Sequence, residues 1–362
     1  AEGNVFLRQA KVKGEVRLPG ARLGGTLDCD EAELWAGEAG VALHADGVRI
    51  ESHVFLRRAE VTGAVRFLGA RLGADLDCVG ALLQAGKDGW ALGADGLRSE
   101  GSVFLRRAKV MGEVRLLGAT LRGGLDCDEL NIENSEIALN ASSLSAGGGH
   151  YLRGAVVKGE VNLVTSKLGR DLDLTCAKLR VANGARALNA DSIEVEGRFF
   201  LRRGAQIDGI IDLANASIGM ICDEKDCWPQ KRGLILDRCR YGAFGGNATP
   251  LDASSRIAWL ELQDPALASQ DFWPQPWEKC AQVLREMGHR EDARQVLIAK
   301  EARQRKARRA RAPEFLREWL GVWDRIIAVT SAYGYRPFRT LWFLVGFWAL
   351  GALVFSDAAV PD

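Results

Sequence analysis

The chain has 362 residues, 47% of them hydrophobic and 26% charged, which excludes a disordered polypeptide and leaves room for two or three domains. Its formal net charge is only +1, so no global field marks nucleic acid as a partner. Eight cysteines without a signal segment favour free thiols in a reducing compartment over a disulfide framework, and 41 glycines against 9 prolines fit many tight corners.

From the N-terminus the chain repeats itself. VFLRQAKVKGEVRL starts at Val5, VFLRRAEVTGAVRF at Val54 and VFLRRAKVMGEVRL at Val103, and weaker copies start at His150 and Phe199, with spacings of 49, 49, 47 and 49 residues. Self-similarity at a fixed period marks a stacked repeat. Inside one copy a shorter unit recurs: an alternating apolar triplet, then Ala, then a further apolar residue. It runs from Val54 through Val65, Leu76 and Trp90 to the next copy at Val103 in steps of 11, 11, 14 and 13 residues.

An alternating triplet has the period of a strand, and a small residue at each corner lets the backbone turn before the next strand. Four such units make two coils of a parallel β-solenoid, at about 24 residues per coil. Residues 1–248 then hold about ten coils, a rod of roughly 45–50 Å at a strand spacing of ~4.8 Å.

LDCD at Leu27, LDCV at Leu76 and LDCD at Leu125 place Cys29, Cys78 and Cys127 at the second apolar position of a unit, where neighbouring units carry Leu18, Phe67 and Leu116 and the fourth copy carries Leu174. An interior packing column tolerates Leu in place of Cys, whereas a ladder of metal ligands does not. Cys176 lies outside this position. Cys222, Cys227 and Cys239 surround Trp228 and Pro229 with no histidine nearby, and read as an end loop of the solenoid.

The cadence resembles pentapeptide-repeat proteins and related right-handed β-solenoids. The whole layout is similar to a bacterial group of membrane-associated proteins with such a repeat and a hydrophobic C-terminus, carried most specifically by WEKCAQVLREMGHREDARQVLIAKEARQRKARR (Trp277 to Arg309) and SAYGYRPFRTLWFLVGFWALGALVF (Ser331 to Phe355). The resemblance implies a right-handed solenoid, a helical linker over 249–312 and a juxtamembrane and membrane segment over 313–362. A second membrane segment usually follows in the relatives, so it also implies a longer natural chain. Relatives sometimes bear an oxidoreductase label. No residue here matches a redox motif, and that activity ranks last.

Trp277, Cys280, Val283, Leu284 and Met287 share one helical face, Gly288 punctuates, and a second helix from about Arg290 presents Ala293, Val296, Leu297 and Lys300. From Lys300 to Arg339, 11 Lys/Arg stand against 4 Asp/Glu, a local +7 that leaves the remaining chain at −6. Thr340 to Ser356 is an uncharged run of 17 residues, at the short end for a bilayer core of about 30 Å, with Trp342, Phe343, Phe347 and Trp348 in its first half. Positive charge before it predicts that the solenoid lies on the cytoplasmic side of a bacterial inner membrane. Arg303, Arg305, Lys306, Arg308, Arg309, Arg311, Arg336 and Arg339 are the expected lipid-headgroup contacts. The basic run lacks interleaved aromatics, which disfavours nucleic acid.

On the solenoid, Asp28, Asp77, Asp126 and Asp173 form one recurring outward position and Arg17, Arg66 and Arg115 another, expected as solvated charge ladders. Phe6, Phe55, Phe104, Tyr151 and Phe200 recur at the outward position of the first unit and form the preferred interaction surface, open to a protein partner or a second copy unless the long fourth unit covers them. None of His44, His53, His150 and His289 accompanies a nucleophile or metal signature, and no phosphate loop or dinucleotide fingerprint is found. The expectation is therefore a non-catalytic interaction or sensor scaffold anchored at the membrane, without a cofactor or catalytic residues. An oligomeric membrane effector or channel is the alternative.

Overall fold

The computed structural model describes residues 3–182, 184–264, 272–336 and 338–356. The chain divides into two compact units, Ala1–Pro250 with Ala258–Asp264, and Leu251–Ile257 with Pro265–Asp362.

The first unit is a parallel β-solenoid of about ten coils, built from two sheets of 18 and 17 short strands among the described residues. A coil such as Arg49–Ile50, Val54–Phe55, Glu60–Thr62 and Ala64–Arg66 gives its first two strands to one sheet and its last two to the other. Val5 pairs with Leu27 and Leu27 with Val54, so coils advance alternately by 22 and 27 residues. The 49-residue period is therefore one short coil plus one long coil. The longer coil takes up its extra residues in a loop such as Ala36–Gly40, between Glu33–Trp35 and Val41–His44.

The recurrent alanines have a different role from the one expected. Ala59 is fully buried, pointing inward, while Arg58 before it carries the turn at φ 53°, and the Ala59 N–H closes it by donating to the Leu56 carbonyl at 3.2 Å. Ala32, Ala81 and Ala108 repeat this inner corner on neighbouring coils, and the next coil fills it with the fully buried Leu130. Glycine is needed elsewhere: Gly63 has φ +118°, and a Cβ there would lie 2.4 Å from the Ala36 Cβ.

Stacked apolar columns fill the interior. Leu7, Cys29, Leu56, Cys78, Leu105, Cys127, Leu152 and Leu174 follow one another on successive coils, each linked to the next coil by backbone hydrogen bonds such as Cys29 N–H to the Phe55 carbonyl at 2.8 Å. Cys29, Cys78 and Cys127 are fully buried, and burial pushes the Cys29 thiol up to about 12. Thiol here acts as a small apolar filler between leucines. Cys176 is exposed, as its place outside the column requires. At the far end Trp259 packs edge-on against Tyr241 and Phe244 at 6.1 and 6.0 Å, and Leu234 bridges to Gln263, so the last coil does not end on an open edge.

Helix α1, Ala253–Leu260, runs across the division between the units. The second unit also holds α2 (Pro274–Glu286), α3 (Arg290–Arg311), α4 (Glu314–Ser331) and α5 (Phe338–Ser356). Trp277, Cys280, Val283 and Leu284 of α2 and Ala293 and Val296 of α3 are buried, and α2 and α3 pack together across the turn that Gly288 makes at φ +94°. Asp324 of α4 accepts from Arg305 at 3.0 Å and Arg309 at 3.2 Å, which ties the polar side of α4 to α3. Helix α5 contains an 18-residue window, Phe338–Phe355, of mean hydropathy 1.7 and no burial, and is the one helix among the described residues that is long and apolar enough to cross a membrane.

Candidate functional site

The register joins two sets of residues that the repeat had separated. Phe6, Asp28, Phe55, Asp77, Phe104, Asp126, Tyr151, Asp173 and Phe200 pair in succession, so the aromatic and aspartate positions form a single column on alternate coils. Each aspartate fixes its own corner by accepting the backbone N–H two residues on, as from Asp30 to Asp28 at 3.0 Å and from Thr175 to Asp173 at 2.9 Å. Asp28 and Asp173 are buried and Asp77 and Asp126 half-buried. Burial raises the Asp126 carboxyl, offset in part by the Asp128 N–H and by Arg106 and Arg153. This is not the solvated ladder that the sequence implied.

An arginine two residues after the aromatic covers the ring of Phe55, Phe104, Tyr151 and Phe200. Arg57 lies 4.3 Å above the Phe55 ring and grips Asp30, and Arg153 lies 5.2 Å above Tyr151 and grips Asp128. Arg106 sits 5.3 Å from Phe104, and Arg202 4.0 Å from Phe200. Of the five predicted contact residues, Phe6 is 67% exposed, Phe55, Phe104 and Tyr151 are half-buried, and Phe200 is buried at 6%. The covering comes from arginines of the same coils, not from the long fourth unit.

The second predicted ladder is neutralised. Asp46 and Asp95 each accept from an arginine, Arg66 and Arg115, at 2.7 Å, and each takes a backbone N–H at 3.0 Å, from Leu68 and Leu117. Arg17 pairs with His44, which lies between Glu15 at 3.0 Å and Asp46 at 3.2 Å. A different column holds exposed arginines, of which Arg49, Arg71 and Arg98 have no ion-pair partner among the described residues. Arg22, Arg49, Arg71 and Arg98 pair in register on consecutive coils and are all exposed. Their separations of 27, 22 and 27 residues cut across the 49-residue period, so the repeat conceals them.

Near the end of the solenoid a cavity of about 240 Å³ is lined by Arg202, Arg203, Cys222, Asp223, Glu224 and Thr249, among others. Its polar groups are engaged: Asp223 accepts from the Trp228 indole N–H at 2.7 Å and Glu224 from the Arg203 N–H at 2.8 Å. Among the described residues, no three of His, Cys, Asp or Glu are grouped to hold a metal ion. His150 lies in the core between Leu125 and Leu172, fully buried, with neither ring nitrogen partnered.

In the helical unit the eight predicted lipid contacts separate into two groups. Arg305 and Arg309 hold Asp324, Arg336 holds Glu291, and Arg303 lies 5.1 Å from the Trp277 ring. Lys306, Arg308, Arg311 and Arg339 are exposed. A larger feature was missed. Phe315, Trp319, Val322, Trp323, Ile326 and Val329 form an exposed stripe along α4, opposite Asp324. The sequence signal was present as a helical period between two basic stretches. Compared with known proteins, the chain matches no family model, no curated protein and no solved structure.

Proposed function

We infer that the chain is a membrane-anchored scaffold in which a β-solenoid presents its side to a partner or ligand and the helical unit holds it at a bilayer. The observation that carries this reading is the continuous apolar surface of α4 and α5: Trp319 and Trp323 are 77% and 60% exposed, and the 18-residue window of α5 has no buried residue. Water would not leave so much apolar surface uncovered. An amphipathic helix with two tryptophans on its apolar face fits the interface plane, and an apolar helix following it fits the bilayer core. Exposed Lys306, Arg308, Arg311 and Arg339 supply charge for acidic headgroups. The pentapeptide-repeat kinship and bacterial origin that the resemblance implies, the cytoplasmic side read from the basic residues before α5, and the non-catalytic role all belong to this proposal.

Flotation of the full-length chain with vesicles containing acidic lipid, followed by carbonate extraction, tests the reading. Retention in the floated fraction after carbonate supports an inserted anchor, and recovery in the soluble fraction refutes it. The substitutions Trp319→Glu and Trp323→Glu together should weaken vesicle association at least tenfold, since each replaces a large, mostly apolar indole with a carboxylate.

A further inference from the structure

Arg22 pairs with Arg49, Arg49 with Arg71, and Arg71 with Arg98. Neighbouring strands lie ~4.8 Å apart, so four guanidinium side chains leave one outer column within about 14 Å. Like charges directly opposite one another destabilise a sheet. Elsewhere on this solenoid arginines have carboxylates: Arg57 has Asp30, Arg66 has Asp46, Arg115 has Asp95 and Arg122 has Glu100. Among the described residues, no carboxylate forms an ion pair with Arg49, Arg71 or Arg98.

The surroundings leave room for an extended ligand. On one flank Gly20, Gly47 and Gly69 are exposed, and a Cβ built on any of them would meet nothing within 4 Å, so no side chain stands beside the arginines there. On the other flank Gly24 and Gly73 alternate with Glu51 and Glu100; Glu100 is held by Arg122 at 2.9 Å. Past Arg98 the column continues with the hydroxyl residues Thr120 and Ser145.

We propose that this arginine ladder binds a linear chain of phosphate groups, inorganic polyphosphate, laid along the solenoid. Each planar guanidinium offers a fork of N–H donors to phosphate oxygens, and the regular rise of the coils repeats that fork along the ligand. A nucleic-acid backbone carries the same anion but also bases; of the neighbouring aromatic column Phe6 is exposed at the first coil, while the Phe55 and Phe104 rings lie beneath Arg57 and Arg106, so no run of stacking platforms follows the ladder. The proposal names a ligand for the scaffold described above and rests on that reading.

Binding of short-chain inorganic polyphosphate to the full-length chain in neutral detergent, measured by calorimetry over a salt series, tests it. The three charges of Arg49, Arg71 and Arg98, neutralised at ~0.7 each, give a log–log salt slope of about −2. The variant R49Q/R71Q should flatten the slope by about 1.4 and weaken binding by on the order of tenfold per arginine. It should melt no lower than the parent, because it removes like-charge contacts. The variant K306Q/R308Q, on the basic helix, should leave the slope unchanged. Unaltered binding by R49Q/R71Q, loss that follows K306Q/R308Q instead, or equally tight binding of single-stranded DNA of matched charge overturns the proposal. Vesicle flotation of R49Q/R71Q separates the two readings: the ladder can fail while the chain still floats, and the anchor can fail while polyphosphate still binds.

Discussion

Replacing His150 by leucine should stabilise the solenoid, and by an amount that depends on pH in one direction. The ring occupies an interior column between Leu125 and Leu172, is fully buried, and leaves both nitrogens without a partner. An unsatisfied buried polar group costs about 1–3 kcal/mol, so leucine should gain about that much at neutral pH. Burial holds the imidazole pKa down to about 4 from 6.5, opposed in part by the Asp128 carboxylate. The unfolded chain therefore binds a proton between those values while the folded chain does not, and stability falls as pH drops from about 6.5 to about 4. At 1.36 kcal/mol per pH unit the loss is about 3 kcal/mol. Urea unfolding of the parent and of H150L at matched pH values isolates this contribution, because every other titrating group is common to both. The gap between the two curves should widen by about 3 kcal/mol from pH 7 to pH 4. A gap that stays constant would show that the ring is not held neutral in the core, and would refute the packing argument.

Three further outcomes follow from the same architecture. In the native chain an alkylating reagent at mildly alkaline pH should label Cys176 rapidly and leave Cys29, Cys78 and Cys127 unmodified until the solenoid unfolds, as peptide mass spectrometry would show; early labelling of Cys78 would place that thiol outside the core. The substitution Gly63→Ala should destabilise by about 2–4 kcal/mol and lower the melting temperature accordingly, since φ is +118° there and the new methyl would lie 2.4 Å from the Ala36 Cβ; an unchanged melting curve would show that the inner corner can relax. Asp324→Ala removes the carboxylate shared by Arg305 and Arg309, and should cost about 1–3 kcal/mol and speed proteolysis between α3 and α4, whereas an unaltered digestion pattern would show that α4 is held by other contacts.

Much of the fold was legible because a solenoid writes its geometry in one dimension. The triplets at Val54, Val65 and Leu76 alternate with the period of a strand, their near-constant steps force each strand over an equivalent one, and leucine replacing cysteine marks an inward column. The hairpin of α2 and α3 was legible for a related reason, since Trp277, Cys280, Val283 and Leu284 recur at helical spacing and are buried together. The surface was far less legible. Exposure of Phe55 or Phe200 depends on where the arginine two residues later folds back, and that depends on the carboxylate on the adjacent coil, which is 27 residues away for Arg57 and Asp30.

By itself, the order of residues determined that this chain winds into stacked coils, that Cys29, Cys78 and Cys127 point inward, and that an apolar helix follows a basic one. These outcomes rest on local alternation and on the hydrophobic effect acting at each position separately. Only the tertiary structure decided which charges are matched. A coil of 22 residues followed by one of 27 brings Arg22, Arg49, Arg71 and Arg98 into one column and sets each aspartate against an aromatic ring. Charge compensation acts through space across neighbouring coils, so it becomes readable only once their registration is known.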